Sequence, residues 1–213
     1  VGMPLAEIPA PEGDGSYDDY FLKPFFESLK GVGVQPEVVN NYKFYNDGKF
    51  KDCTRTIIDN REKVRHILET VSGRQLSKNW FPWTFKDNDG KLCDGKLIRY
   101  EWPYVYFENS NGAEVVNNLE KGEGKLPWRL DWPSKWKILG VTFEAFGKDH
   151  ATKGGSYDTG KRIIEDVLDD KVPHHIVYEW INLKGKGVMH SSTGLAISAE
   201  EMLRMAPPEV IRW

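Results

Sequence analysis

The stretch from residue 141 to residue 183 constrains the fold more than any other. Val141-Thr142-Phe143-Glu144-Ala145-Phe146 is a strand-length run of little polarity, and residues 147–155 form a glycine-bearing polar loop. Residues 156–168 then place Ile163, Ile164, Val167 and Leu168 on one helical face, and residues 175–183 read as a second strand. Strand, loop, helix and strand in that order build a parallel sheet, whose ligands bind beyond the carboxyl ends of the strands. The 147–155 loop and the 184–194 loop are therefore expected to face one cleft.

Upstream the pattern changes twice. Residues 1–14 carry three prolines and two glycines and read as an extended entry. Ser16 offers an N-cap to a helical series Tyr17, Tyr20, Phe21, Phe25 and Leu29, with Pro24 predicting a kink or a later start. Glu37-Val38-Val39 is a short strand candidate. Ile57, Ile58, Val64, Ile67, Leu68 and Val71 predict one amphipathic helix over 54–71, ended by Gly73. Residues 80–118 alternate aromatic and polar side chains between the turn signals Asn88-Asp89-Gly90 and Asn109-Ser110-Asn111-Gly112, which predicts a small antiparallel β module. Period-2 alternation puts Tyr100, Trp102, Tyr104 and Tyr106 on one face, expected to be buried. Downstream, a short helix over 132–138 precedes the first parallel strand. Ser198-Ala199-Glu200-Glu201 opens a last helix that Pro207-Pro208 breaks.

Composition narrows the class. The 213 residues carry a formal charge of −3, so no global basic field draws in nucleic acid, and any such contact has to be local. Cys53 and Cys93 lie far apart with no CxxC spacing, and indicate neither a zinc site nor a disulfide framework. Reduced thiols and a cytoplasmic location are the plain reading. No apolar run approaches the ~20 residues of a membrane span. Eight Trp are a high load, for which core packing is the commoner explanation.

An ordered series of segments carries a resemblance. It runs from Lys125-Leu126-Pro127-Trp128-Arg129-Leu130-Asp131-Trp132 through Gly140-Val141-Thr142-Phe143-Glu144 to Phe146-Gly147-Lys148-Asp149-His150-Ala151 and Gly154-Gly155-Ser156-Tyr157-Asp158. Tyr178-Glu179-Trp180, Leu183-Lys184-Gly185 and Ala206-Pro207-Pro208-Glu209-Val210 complete it. In this the chain resembles the catalytic region of class I lysyl-tRNA synthetases. The resemblance implies an α/β fold with an incomplete nucleotide-binding parallel sheet, Rossmann-like and HUP-type, over 1–78 and 119–213, with the β module of 79–118 inserted. It also implies that ATP and lysine form lysyl-adenylate and that the lysyl group passes to the tRNA 3′ end, with Mg²⁺ admissible beside ATP. By position, Trp128, His150 and Tyr178 match residues lining the lysine pocket. Asp131 and Asp149 are the candidate carboxylates for the ligand's ammonium, and spacing does not choose between them. Gly147, Asp149, Met189, Ser191 and Ser192 fall at the ATP side. An aromatic wall suits the aliphatic stem of lysine and, beside a carboxylate, its ammonium.

The chain also departs from the family pattern. No His-Ile-Gly-His signature precedes these segments, and the five histidines are His66, His150, His174, His175 and His190. In the stretch aligned with the family's KMSKS-like loop, Gly187-Val188-Met189-His190-Ser191-Ser192-Thr193-Gly194, Val188 and Thr193 stand where two lysines clamp pyrophosphate. Losing one such donor costs about 10²–10³ in rate. Residues 84–90 replace the cysteine-rich zinc knuckle of many relatives, so no zinc is expected. The expectation is a lysyl-tRNA synthetase-like piece inactive alone, beginning after the first signature and lacking the anticodon-binding region, so that tRNA contact is confined to the acceptor end. The alternative is a non-catalytic paralogue acting as a binding or assembly module. Either a second copy or a missing N-terminal half is the expected protein partner, and no membrane is involved.

Overall fold

The computed structural model describes residues 2–190 and 194–212. These divide into two compact units, Gly2 with residues 40–179, and residues 3–39 with 180–212.

The first unit opens with three helices, α2 (Asn41–Asn46), α3 (Lys51–Asp59) and α4 (Arg61–Ser72). Asn40 caps α2 by accepting a hydrogen bond from the Lys43 amide. The single helix expected over 54–71 is two, because Asn60 leaves helical geometry at φ −103° and ψ 22° and its side-chain amide donates to the Thr56 carbonyl at 2.8 Å. The inward face survives the break: Ile57, Ile58, Val64, Ile67 and Leu68 are all buried, each such side chain contributing about 1.5–3 kcal/mol. Gly73, left-handed at φ 68°, ends α4 as its position predicts.

Six short strands follow: β1 (Thr84–Lys86), β2 (Leu92–Cys93), β3 (Lys96–Glu101), β4 (Tyr104–Glu108), β5 (Glu114–Asn118) and β6 (Gly124–Lys125). They form two antiparallel sheets, ordered β2-β1-β6 and β3-β4-β5. Both predicted turns use one device. Asp87 Oδ1 accepts from the amides of Asp89 and Lys91, and Asn109 Oδ1 from those of Asn111 and Ala113. The aromatic stripe does not hold together as a face. A cis Trp102-Pro103 peptide turns the chain between β3 and β4, and Val105 and Phe107 take the buried side. Tyr104 is exposed, and Tyr106 lies beneath the Arg99 guanidinium at 3.5 Å. Phe85, Val105, Phe107 and Val115 share one hydrophobic core with Ile57, Ile58 and Val64 of the helices.

Helix α5 (Trp128–Leu139) starts four residues before the expected position, since the Pro127 carbonyl already accepts from the amides of Leu130 and Asp131. Gly140, at φ 60°, stops it. Strand β7 (Phe143–Gly147), helix α6 (Ser156–Asp166) and strand β8 (His174–Tyr178) then make the anticipated β-α-β unit, with β7 and β8 parallel and in register from Phe143↔His174 to Gly147↔Tyr178. Strand β8 ends at Tyr178, short of the expected 183. One face of this pair packs on the helices, where the Phe146 and His175 rings stack at 5.6 Å beside Tyr157 and Trp132. The alternate positions are open, Phe143 being 59% and Ile176 56% exposed. The unit is thus α/β with small sheets.

The second unit contains a 3₁₀ turn (Leu5–Glu7), α1 (Tyr17–Gly31), a hairpin of β9 (Asn182–Leu183) and β10 (Gly187–Val188), α7 (Ala199–Met205) and α8 (Pro208–Arg212). Helix α1 continues through Pro24, whose carbonyl accepts from the Ser28 hydroxyl. Residues 37–39 form no strand. Ser198 and Glu201 make a reciprocal capping box at α7. Gly31 permits a close approach of α1 to α7, since a Cβ there would sit 3.0 Å from Leu203 Cδ1. Ser28 is the one buried residue among those described in this unit.

Candidate functional site

The carboxyl ends of β7 and β8 gather most of the residues that the sequence nominates. Trp128 is the first residue of α5, stacked on Trp132 at 5.3 Å with the rings 16° apart. His150 stands 5.8 Å from the Trp128 ring and 5.5 Å from the Trp132 ring. Its backbone is held at both ends, the amide donating to Gly147 O (3.0 Å) and the carbonyl accepting from Tyr157 N (3.2 Å). Asp149 Oδ2 lies 3.7 Å from His150 Nε2.

Gly147 and Tyr178 are paired across the two strands. A Cβ on Gly147 would stand 2.8 Å from Asp149 Oδ1 and 3.6 Å from Tyr178 Cε2, so the missing side chain is what lets the carboxylate and the phenol ring approach this strand end. The Lys148 amide donates to the Tyr178 carbonyl at 3.1 Å, and the Lys148 ammonium pairs with Glu179 at 2.5 Å. Trp128 is 48% and Tyr178 58% exposed, which leaves both aromatic surfaces open. Trp128, His150 and Asp149 thus form one continuous group, and Tyr178 joins it through Gly147 and Asp149.

Asp131 is placed differently. It is buried, and its carboxylate already has partners: the Tyr45 hydroxyl donates to Oδ1 at 2.8 Å, and the Lys135 ammonium lies 2.7 Å from Oδ2. The same ammonium stands 5.4 Å over the Trp128 ring. A lysine of the chain itself therefore stands between the Asp131 carboxylate and the Trp128 indole. Burial first, and then the Asp131 charge and hydrogen bond, hold the Tyr45 hydroxyl well above its ordinary pKa, so it remains a donor. Tyr45 also accepts from the Leu126 amide, tying α2 to the segment that leads into α5.

The loop between β7 and α6 is anchored on its far side. Arg129 Nη1 donates to the Gly154 carbonyl (3.3 Å) and to Thr159 Oγ1 (3.0 Å). Burial and the neighbouring Arg74 lower the Arg129 pKa. Gly154 is left-handed at φ +73°, and a Cβ there would meet Val71 O at 2.6 Å. Its amide donates to Asp158, which also pairs with Lys161. Burial alone would raise the Asp158 pKa, yet the Gly154 amide and the Lys161 ammonium outweigh it and the net shift is downward.

Met189 belongs to the second unit, where its amide donates to Ile181 O just after β10. Ser191, Ser192 and Thr193 lie outside the described residues. Among the described residues no three His, Cys, Asp or Glu side chains gather as a metal-binding group, and no helix is long and apolar enough to cross a membrane.

The glycine loop and the aromatic group meet at the carboxyl end of a parallel strand pair in an α/β unit; the chain belongs to the family of class I tRNA synthetases (K), which it matches over residues 1–213. Relatives that it matches include lysine–tRNA ligases. That of Thermoplasma acidophilum is 44% identical over 214 aligned residues, taking in all of this chain and 42% of the relative. The lysine–tRNA ligase of Archaeoglobus fulgidus is 41% identical over 215 residues and 43% of its length, and lysine–tRNA ligase 1 of Methanosarcina acetivorans 42% over 220 residues and 40%. The chain spans about two fifths of the length of these relatives.

Proposed function

We propose that this chain supplies the amino-acid side of a class I lysine–tRNA ligase site, cytoplasmic and acting on lysine, ATP and the acceptor end of tRNA. The observation that carries the reading is the grouping of Trp128, His150, Asp149 and Tyr178 at one strand end. In this reading the indole and phenol rings bracket the aliphatic stem of lysine, and Asp149, whose carboxylate faces the open side, takes a cationic group of the ligand. Asp131 acts indirectly, fixing Lys135 and through it Trp128. Gly147 and Asp149 approach the ribose of ATP, while Met189, Ser191 and Ser192 are assigned to ATP by the resemblance alone. The finer fold assignment is a HUP-type sheet over 1–78 and 119–213 with 79–118 as its insert. Titration calorimetry with lysine and with a non-hydrolysable lysyl-adenylate analogue tests this. The analogue is expected to bind and Trp128→Ala to weaken it at least about tenfold; no binding of the analogue at millimolar concentration overturns the reading.

A second reading is favoured by one observation, the presence of Val188 and Thr193 where the family pattern has two lysines. With neither cation to stabilise charge on departing pyrophosphate, the chain is a binding or assembly module rather than a catalyst, pairing with a second copy or another protein. Pyrophosphate exchange separates the two. Recovery of exchange in Val188→Lys/Thr193→Lys, by about 10² or more, supports a lapsed ligase, and unchanged inactivity supports the module.

A further inference from the structure

A polar cavity of about 440 Å³ in the first unit lies between two turns, the one joining α2 to α3 and the one joining β5 to β6. Lys49, Lys51 and Lys121 line it together with Asp47, Glu120 and Asn46. What sets these three ammonium groups apart is that they converge on one cavity. Lys91, Lys135, Lys148 and Lys161 each pair with a carboxylate, whereas Lys49, Lys51 and Lys121 form no ion pair and no side-chain hydrogen bond among the described residues. The lysines outnumber the two carboxylates of the lining, on a molecule whose net charge is −3.

The cavity is built rather than incidental. Gly48 is left-handed at φ +70°, and a Cβ there would sit 3.1 Å from the Glu120 carbonyl; Gly122, at φ +67°, would bring one within 2.6 Å of Asn46 Oδ1. The two turns therefore meet backbone to backbone, and glycine is what allows it. Beneath them Tyr45 stacks on Phe50 at 3.9 Å with the rings 4° apart, and its hydroxyl is fixed to Asp131. The lysines are thus displayed from a rigid base. Phe50, at the N-cap of α3, offers no side-chain acceptor to that helix's first amides, so the positive end of a nine-residue helix adds to the field of Lys51.

No lining residue provides an apolar wall for a base or an aliphatic chain. What such a site recognises is negative charge without sequence, and lysine does so as a point charge. We infer that Lys49, Lys51 and Lys121 hold the phosphodiester backbone of RNA. The choice of RNA over a free anion rests on the reading of the chain as part of a tRNA ligase, and the site gives that reading a local basic contact on an otherwise acidic chain.

The test is RNA binding as a function of salt. A lysine tRNA transcript is titrated with the chain and with the triple variant Lys49→Gln/Lys51→Gln/Lys121→Gln across 50–200 mM salt, chosen on the scale over which phosphate contacts show, about a unit of log–log slope per lysine. The variant is expected to bind at least about tenfold more weakly at the low end and to lower the slope by about 3. A control triple, Lys78→Gln/Lys96→Gln/Lys171→Gln, makes the same charge change elsewhere and is expected to bind as the parent does. Equal loss in both triples, unchanged binding in the first, or no RNA binding by the parent at low salt overturns the inference. Displacement of the transcript by low-millimolar inorganic phosphate also overturns it, marking a small-anion site. Binding of the lysyl-adenylate analogue is measured on the same variant. If it is retained while RNA binding falls, both readings stand; if the analogue never binds, the ligase reading fails by itself, whatever the salt slopes show.

Discussion

Asp131 and Lys135 are four residues apart on α5, a spacing that brings opposite charges together on a helix. That pairing is local to one helix, whereas the third member is not. Tyr45 lies 86 residues away and reaches Asp131 only because α2 packs beside the start of α5. Its hydroxyl both accepts from Leu126 N and donates to Asp131 Oδ1 in a buried place, so Tyr45→Phe removes two partnerships and leaves a buried amide and carboxylate short of a partner. The expected cost is about 2 kcal/mol, read from urea unfolding midpoints at unchanged m-value. Since Lys135 spans Asp131 and the Trp128 ring, Lys135→Met is expected to raise the acrylamide quenching of Trp128 fluorescence, seen as a difference against Trp128→Phe.

At the scale of elements, the β-α-β unit was legible because each piece has its own signal: a nearly apolar run, a glycine loop, and an amphipathic helix carrying Ile163 and Ile164 inward. The turns at 87–90 and 109–112 were legible through their Asp and Asn side chains. What failed to show has physical reasons. Asn60 interrupts a helix without being a glycine or proline, and Val38-Val39 finds no strand to pair with. Pro103 turned an aromatic alternation that otherwise looked continuous, and the helix expected from Trp132 begins at Trp128 because Pro127 is its N-cap. The candidate site was legible only as a set of positions; that Gly154 is pressed against α4 could not be foreseen. Two glycines of like backbone show the difference. Gly112 (φ +78°) has open space where a Cβ would go, and Gly154 (φ +73°) has Val71 O at 2.6 Å. Gly112→Ala is expected to cost about 1 kcal/mol, from backbone strain alone, and Gly154→Ala about 3 kcal/mol or more, both read by equilibrium unfolding.

Over the whole molecule, burial is unevenly shared. The first unit owns the fully buried set, with Ile57, Ile58, Val64, Leu126, Leu130 and Ile163 at 0% exposure. Among the described residues of the second, Ser28 alone is buried, while Phe21, Phe25, Met205 and Val210 face outward. Stability follows burial, so amides of α1 and α7 are expected to exchange with solvent deuterium well before those of α4 and α6, which open only near the global unfolding free energy. Equal protection in all four helices would show that the second unit is stabilised by something other than its own core.

Gly147 has a consequence that reaches past its own position. Every missense change of a glycine codon adds the carbon that the strand end omits, and the first atom in its way is Asp149 Oδ1. The carboxylate, being the tip of a short side chain, would swing aside before the strand yielded. A lesion inherited at codon 147 would therefore be expressed as a misaimed acid at 149, and a survey of natural variants would find the two positions sharing one phenotype.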